Sequence, residues 1–198
     1  MVREKTRTLD KLTTMTIKHV LFVIILLVGF ELSAQDQKKS TLNSFPKIEL
    51  GIRGLDIAYE HVLSPVLLVE PYMSFGKEYQ IGITSQRGFV FDLGDDYLTL
   101  GSHLKLYYSL NKRLSKEKNM AHNAGNFLGA KMEYIYLFLD DEDGDNFINT
   151  SLYWGIQRPL RDQYLWGFYL GLGNYYNFDT STFSDVSFIA NIKIGLSL

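Results

Sequence analysis

Residues 186–198 read VSFIANIKIGLSL, and apolar and polar side chains alternate from Val186 to Leu198. Successive side chains of a β-strand point to opposite faces, so this segment has one apolar face and one mixed polar face. Its thirteen residues exceed the usual globular strand of about 5–6, but suit a tilted membrane strand of about 9–11 with an extension. The segment therefore predicts a long membrane strand.

The same period of two runs through most of the chain upstream. One face is apolar and the other carries polar, glycine or charged residues, as in Gly125–Phe138. A membrane barrel with both ends on one side of the bilayer needs an even number of strands. We predict eight strands, at residues 47–53, 55–62, 66–77, 97–110, 124–138, 147–157, 164–174 and 186–198. An alternative eight keeps 47–62 as one strand and divides 66–93 near Gly76-Lys77.

These strands predict an all-β fold, an eight-stranded antiparallel up-and-down transmembrane β-barrel. A barrel in lipid places apolar residues outside and polar residues inside. The residues expected inside include Glu49, Asp56, Glu60, Glu70, His103, Lys105, Lys131, Glu133 and Lys193. Because both signs of charge are represented, we expect an internal ion-pair network, and eight strands leave no continuous aqueous pore. The alternative is a water-soluble barrel or sandwich with solvated charged faces.

Aromatic residues and connection lengths orient the predicted barrel. Trp154 and Trp166 lie on the apolar face on either side of the Arg158–Gln163 turn, where an interfacial aromatic girdle belongs. This turn and the one at 63–65 are short, as periplasmic turns should be. The longer connections, expected on the opposite side, are 77–96, 139–146 and 175–185. The connection at Asn111–Asn123 is long and basic for a periplasmic turn, and nothing in its sequence explains why.

The first residues have the layout of a signal peptide. Eleven apolar residues, Val20–Phe30, follow a basic stretch and precede Ser33-Ala34-Gln35. The run is shorter than the roughly 20 residues of a transmembrane helix but fits the 7–15 of a secretory segment. We expect a cleavable signal peptide helix at 1–34 with Met15 as an alternative start, a short periplasmic linker at 35–46, and the barrel domain at 47–198. A short buried helix or an uncleaved anchor is the alternative.

Composition excludes several classes of function. The 198 residues include no cysteine, which removes thiolate metal sites, thiol nucleophiles and a lipid anchor on cysteine. Lysine and arginine number 20 against 22 aspartate and glutamate, a formal charge of −2, so no basic field attracts nucleic acid. The absence of cysteine is compatible with the oxidising cell envelope.

No motif predicts a catalytic, cofactor-binding or metal site. The acidic run Asp140–Asp145 lacks the spacing of an EF-hand, so we expect an acidic surface tip, with Ca²⁺ binding as the alternative. Ser102 and His103 are adjacent and point to opposite faces of a strand, so they do not form a nucleophile–base pair. We expect His103 to be an interior hydrogen-bonding residue and Tyr169 to fill space beside the glycines that follow it.

Several of these pieces occur together in a known family. The likeness rests on Ser33-Ala34-Gln35, Tyr107-Tyr108 before the basic turn, Gly125-Asn126-Phe127-Leu128, Trp154-Gly155-Ile156-Gln157-Arg158 and Gly171-Leu172-Gly173. Over most of residues 35–198 the chain resembles the small outer-membrane β-barrel proteins of Bacteroidetes-type bacteria, which are similar in architecture to the OmpX and OmpA barrels. The terminal Leu198 departs from the usual Phe.

Strand pattern, signal peptide and resemblance together predict a protein of the Gram-negative outer membrane. We expect a non-enzymatic structural, adhesion or surface-interaction role, without cofactor, metal or open diffusion pore. The expected partners are outer-membrane lipid and lipopolysaccharide, the barrel-assembly machinery during insertion, and surface proteins or host contacts through the loops, but no nucleic acid. The alternative is an envelope enzyme that modifies lipid or lipopolysaccharide, or a small-ligand-binding barrel, with a cavity that reaches His103 or the acidic loop.

Overall fold

The computed structural model of the protein describes residues 41–84, 88–138 and 146–198. The strands in these ranges are β1 (Phe45–Gly51), β2 (Gly54–Ser64), β3 (Leu67–Thr84), β4 (Gly88–Tyr107), β5 (Gly125–Phe138), β6 (Asn146–Arg161), β7 (Tyr164–Asn177), β8 (Thr182–Phe183) and β9 (Ser187–Ser197). Within the same ranges, helical structure is limited to α1 (Leu110–Leu114) and a 3₁₀ turn at Ala121–Asn123. None of the described helices is long and apolar enough to cross a membrane.

Eight of the strands form a closed antiparallel barrel. Each strand from β1 to β7 pairs with the next along the chain, and β9 pairs with both β7 and β1. The remaining strand, β8, is a two-residue extension that pairs only with β7. The prediction of an all-β, eight-stranded antiparallel barrel is therefore confirmed.

The first two strands form a hairpin, as the preferred strand count requires. Leu50 pairs with Leu55 across a turn at Ile52-Arg53, so the alternative of one strand over 47–62 is wrong. Gly54 has a φ of 146°, and a Cβ there would lie 2.1 Å from the Phe75 carbonyl oxygen. Only glycine fits this close approach, which fixes the turn against β3.

The expected loop at 77–96 is wrong, because β3 and β4 continue through it as a hairpin. The strands pair from Tyr79 with Leu93 to Thr84 with Gly88, beyond an irregularity in register after Lys77. The pairing of the two strands is therefore not continuous at this point. The hairpin extends past the last pairs that β3 makes with β2 and β4 makes with β5.

Other boundaries differ by a few residues. β1 begins at Phe45 instead of 47, and the expected turn at 158–163 shrinks to two residues because β6 continues to Arg161. β4 ends at Tyr107 because the chain turns into α1. The expected loop at 175–185 includes the end of β7 and all of β8. The predicted signal peptide at 1–34 and the acidic run at 140–145 lie outside the described residues.

The two ends of the barrel are built differently. One end, here called the capped end, carries the short β2–β3 and β6–β7 turns and the longer connection at 108–124. An apolar cluster lies inside this end, formed by Leu42, Leu68, Tyr107, Leu110, Phe127 and Tyr153. The opposite end, the hairpin end, carries the β3–β4 hairpin. Between the two ends the interior is lined mainly by polar and charged side chains.

Candidate functional site in the barrel interior

The polar face predicted from the alternation points toward the interior of the barrel. All nine ionisable residues expected inside are buried, with exposed fractions of 8% or less. The outward partners on the same strands include Leu152, which is 71% exposed, and Met132, which is 63% exposed. The predicted separation of polar interior and apolar exterior is therefore confirmed.

Lys47 is the centre of the largest group of interior charges. Its Nζ lies 3.1 Å from a carboxylate oxygen of Glu49, and 3.0 Å from oxygens of both Glu60 and Glu70. Lys105 approaches the last two from another strand, contacting Glu70 and lying 3.5 Å from Glu60. One lysine on β1 and one on β4 thus share carboxylates from β2 and β3.

Lys193 continues this network toward β2. Its Nζ forms an ion pair with Asp56 and lies 3.8 Å from Glu49. Asp56 also accepts a hydrogen bond from the Ser74 hydroxyl. Because Glu49 contacts both Lys47 and Lys193, the charges from β1, β2, β3, β4 and β9 belong to one connected group.

A second group of charges surrounds Glu133 on β5. Its carboxylate lies 3.2 Å from Arg53 Nη1 and 2.7 Å from Lys131 Nζ. Asn149 donates a hydrogen bond to the same oxygen over 2.9 Å, and the Tyr72 hydroxyl donates to the other. Both carboxylate oxygens are therefore satisfied by donors from four strands or turns.

His103 lies between the two charge groups in a layer of aromatic rings. Its Nδ1 is 2.6 Å from the Tyr153 hydroxyl, and its ring centroid is 4.9 Å from that of Tyr72. Ser102 faces outward, away from this layer. The prediction that His103 is an interior hydrogen-bonding residue is confirmed.

Aromatic rings cover several interior glycines, though not in the expected pairing. A Cβ on Gly129 would lie 2.2 Å from the Tyr153 ring, and one on Gly101 would lie 2.7 Å from the Tyr72 ring. The atoms nearest a Cβ on Gly171 belong to Leu152 and Tyr153, not to Tyr169. Each of these two glycines therefore lies under the ring of the residue paired with it on the neighbouring strand.

The interior charges balance. The described interior holds five carboxylates, those of Glu49, Asp56, Glu60, Glu70 and Glu133. It also holds five cations, those of Lys47, Arg53, Lys105, Lys131 and Lys193. A neutral, mutually paired set avoids the large penalty of an isolated buried charge.

The two cavities found in the described part of the interior are small. The cavity beside His103 and Lys105 measures about 20 Å³, and the one beside Arg53 and Glu133 about 10 Å³. A single water molecule needs a cavity of roughly 10–15 Å³, so each of these cavities has room for about one water. Pockets for organic ligands are far larger, at roughly 300–1,000 Å³. Among the described residues, no three or more His, Asp or Glu side chains are grouped so that they could hold a metal ion.

The connection at 108–124, here called the cap, closes one end of the barrel. Asn123 is 1% exposed and holds it in place, since its Nδ2 donates to the Asn43 carbonyl and its Oδ1 accepts from the Asn43 N–H, both over 2.8 Å. The same Nδ2 donates to Glu60. Gln157 donates to Glu60 and, over 2.7 Å, to the His122 carbonyl of the cap. The unusual length of this connection is thus explained by its role as a plug.

Several of these residues escaped the sequence analysis. Lys47 shares the parity of Glu49, so period two alone could have placed it inside. Arg53 lies in a turn, where alternation gives no direction. Asn123 lies outside the strands, and its side chain enters the barrel because His122 and Asn123 both have a left-handed φ of 52°. Such a reversal leaves no periodic signal.

The outer wall is apolar and almost free of charge. Across the described barrel wall, outward-facing Asp, Glu, Lys and Arg occur only near the two ends. Lys77 pairs with Asp96 at 2.9 Å toward the hairpin end, and Arg158 and Arg161 lie at the capped end. Trp154 and Trp166 are outward-facing and lie on either side of the β6–β7 turn, as predicted.

Comparison with models of known families, with curated proteins and with solved structures finds no match to this chain. The assignment of the fold therefore rests on the strand pairing and on the burial of side chains. The likeness to small outer-membrane barrels stays an expectation from the sequence.

Proposed function

We propose that the protein is a non-enzymatic barrel of the bacterial outer membrane, with a structural, adhesion or surface-interaction role and no open diffusion pore. The observation that supports this most is the inverted distribution of polarity in a closed barrel. Monomeric soluble proteins rarely expose contiguous apolar patches beyond a few hundred Å², whereas a barrel in lipid needs an apolar wall. The wall here surrounds a polar, paired interior.

The height of the apolar wall also suits a bilayer. On β5 the outward-facing apolar residues run from Leu128 to Phe138, ten residues along the strand. At ~3.4 Å per residue and the roughly 40° tilt usual for membrane barrels, this length corresponds to about 26 Å along the barrel axis. Membrane barrels carry an apolar band of about 25 Å. Lys77 and Arg158 lie near the opposite limits of this band.

The neutral, filled interior supports a role that does not depend on passage or on an internal substrate. A channel needs a continuous aqueous path, and an enzyme or carrier needs a cavity that admits its ligand. The described interior offers neither, because paired charges and aromatic rings fill it and the cap closes one end. Function is then carried by the outer surface and the ends, including the hairpin of β3 and β4.

One substitution separates insertion in lipid from a soluble barrel. Leu152 lies at the middle of the outward face of β6, and Leu152→Arg would place a charge at the centre of the bilayer, at a cost of about 2–4 kcal/mol. On a solvated surface the same change would stay within about 0.5 kcal/mol. We expect Leu152→Arg to lower the yield of folded barrel in vesicles. The matched control is Leu160→Arg, at a residue 55% exposed beside the β6–β7 turn, which should change little.

Fractionation of the cell envelope supplies the second arm of this test. Recovery in the outer membrane, with a band whose gel mobility changes on boiling, is expected. A soluble periplasmic band without such a change, together with equal behaviour of the two variants, would contradict the proposal.

A further inference from the structure

A pair of arginines at the capped end stands apart from the paired charges inside. Arg158 faces outward on β6 near the capped end, and Arg113 lies on α1 in the cap. The Arg113 N–H donates to the Ser109 carbonyl over 3.0 Å, and the Ser109 hydroxyl accepts from the N–H of Asn126 over 2.7 Å. The Asn126 side chain in turn accepts from Arg158, so one short chain of hydrogen bonds links the two arginines. Neither forms an ion pair with a carboxylate of the described residues, although every interior cation does.

Both guanidinium groups are held in place by neutral acceptors. Arg158 Nη1 donates to the carbonyls of Gly125 and Gln157 over 2.8 and 2.7 Å, and Nη2 donates to the Asn126 side chain. Arg113 Nη2 donates to the Asn119 carbonyl over 2.6 Å. The Arg113 Nε is buried and has no hydrogen-bond partner among the described residues. Fixed geometry without neutralisation leaves the positive charges of the two guanidinium groups available to an oxyanion.

The surroundings of the pair are those of a membrane interface. Trp166 is the cross-strand partner of Arg158, and Trp154 lies on the same outward face of β6. Trp154 Nε1 donates to the Tyr108 hydroxyl over 2.6 Å, and Tyr108 is 56% exposed. Trp and Tyr concentrate at the level of lipid headgroups, where an apolar ring body and a polar tip are both satisfied.

We propose that Arg113 and Arg158 form a binding site for the phosphate of an anionic phospholipid in the leaflet at the capped end. This inference rests on the proposed membrane location. Guanidinium groups match phosphate oxygens in geometry and charge, and the flanking tryptophans place them at the depth of that phosphate. The exposed Lys112, Lys116 and Lys118 of the cap add a diffuse attraction for the same anionic surface.

The two tryptophans of the chain both lie beside the site and report on it directly. The full chain is reconstituted in bilayers of brominated phosphatidylcholine, whose bromine atoms quench tryptophan fluorescence, and unbrominated phosphatidylglycerol is added in steps. Preferential binding of phosphatidylglycerol beside Trp154 and Trp166 relieves quenching beyond its share of the lipid. The measured quantity is the binding constant of phosphatidylglycerol relative to phosphatidylcholine.

We expect the unaltered protein to favour phosphatidylglycerol and the pair Arg113→Gln and Arg158→Gln to show no preference, with about a fivefold loss for each arginine. The matched control, Lys116→Gln with Lys118→Gln, removes two charges from the same cap and should keep most of the preference. Folding of each variant is checked by gel mobility before and after boiling. If the double variant does not fold, Arg113→Gln alone is measured instead, because it leaves the contacts of Arg158 intact. Its relative binding constant for phosphatidylglycerol should fall about fivefold.

Three results would overturn the site. The first is a preference for phosphatidylglycerol that is equal in the arginine variants and the unaltered protein. The second is a loss of this preference in the lysine control as large as in the arginine variants, which would indicate a diffuse attraction. The third is a response of the micelle-bound protein to inorganic phosphate alone, without preference for phosphatidylglycerol, which would identify free phosphate as the ligand. Absence of any quenching by brominated phosphatidylcholine is a different failure, because it would contradict membrane insertion itself and the lipid site with it.

Discussion

Replacing Lys47 by methionine tests whether the interior charges stabilise the barrel as one balanced set. The Lys47→Met substitution keeps much of the side-chain volume but removes the positive charge that lies within 3.1 Å of Glu49 and 3.0 Å of Glu60 and Glu70. Lys105 and Lys193 remain as the cations of that group. The interior, which has five charges of each sign, is left with one unbalanced carboxylate.

The expected cost follows from this imbalance. Removing one partner of a buried ion pair typically costs about 3–5 kcal/mol, because the remaining charge stays buried without compensation. Adding Glu49→Gln restores neutrality, and Glu49 is the best choice because Lys193 keeps its ion pair with Asp56. We expect the double variant to recover about 1–3 kcal/mol relative to Lys47→Met alone.

The assay is equilibrium urea unfolding of the protein in lipid vesicles, followed by the fluorescence of its two tryptophans. Lys77→Met is the matched control, since Lys77 is 51% exposed and its pair with Asp96 should contribute only about 0–1 kcal/mol. If Lys47→Met costs no more than Lys77→Met, the interior charges do not act as a balanced set. A double variant less stable than Lys47→Met would refute the charge-balance argument even if the first cost is large.

Two further substitutions test the cap and the ring–glycine packing. Asn123→Ala removes the hydrogen bonds to Asn43 and Glu60. We expect the free energy of unfolding to fall by about 1–3 kcal/mol and trypsin to cleave the cap faster. The control, Asn111→Ala at an exposed residue, should leave both quantities unchanged. Gly129→Ala places a Cβ 2.2 Å from the Tyr153 ring and should cost about 1–3 kcal/mol in urea unfolding. Gly167→Ala, whose nearest contact is 3.7 Å, should be tolerated, and equal costs at the two glycines would contradict the packing argument.

Alternation of side chains predicted the faces of the strands well because it is a local property. Glu49, His103 and Lys193 were placed inside from parity alone, and all three are buried. The partners of these residues could not be predicted in the same way. Lys47 and Glu70 are on different strands, 23 positions apart in the sequence, and only the closed register brings them to 3.0 Å.

Where the chain departs from a regular strand, the sequence carried little information. The strand pairing changes register after Lys77, and the hairpin beyond it was expected to be a loop. Asn123 enters the barrel from a segment without periodicity, through two residues in a left-handed conformation. Both features depend on the backbone at one or two positions, which residue type alone does not specify.

The charged interior is costly to bury, and a purely apolar interior of similar volume would often be as stable or more so. A physical reason for retaining it follows from the proposed outer-membrane location, because the chain would cross water before it reaches lipid. If inward positions such as Lys105, Lys131 and Lys193 were apolar like their outward neighbours, β4, β5 and β9 would become continuous apolar runs, which are prone to aggregate while a chain is still in water. Alternation keeps each strand too polar for that, and the ion pairs then compensate the buried charges once the barrel closes. For a barrel exported to the outer membrane, as we propose, the interior network would make the chain compatible first with water and then with lipid.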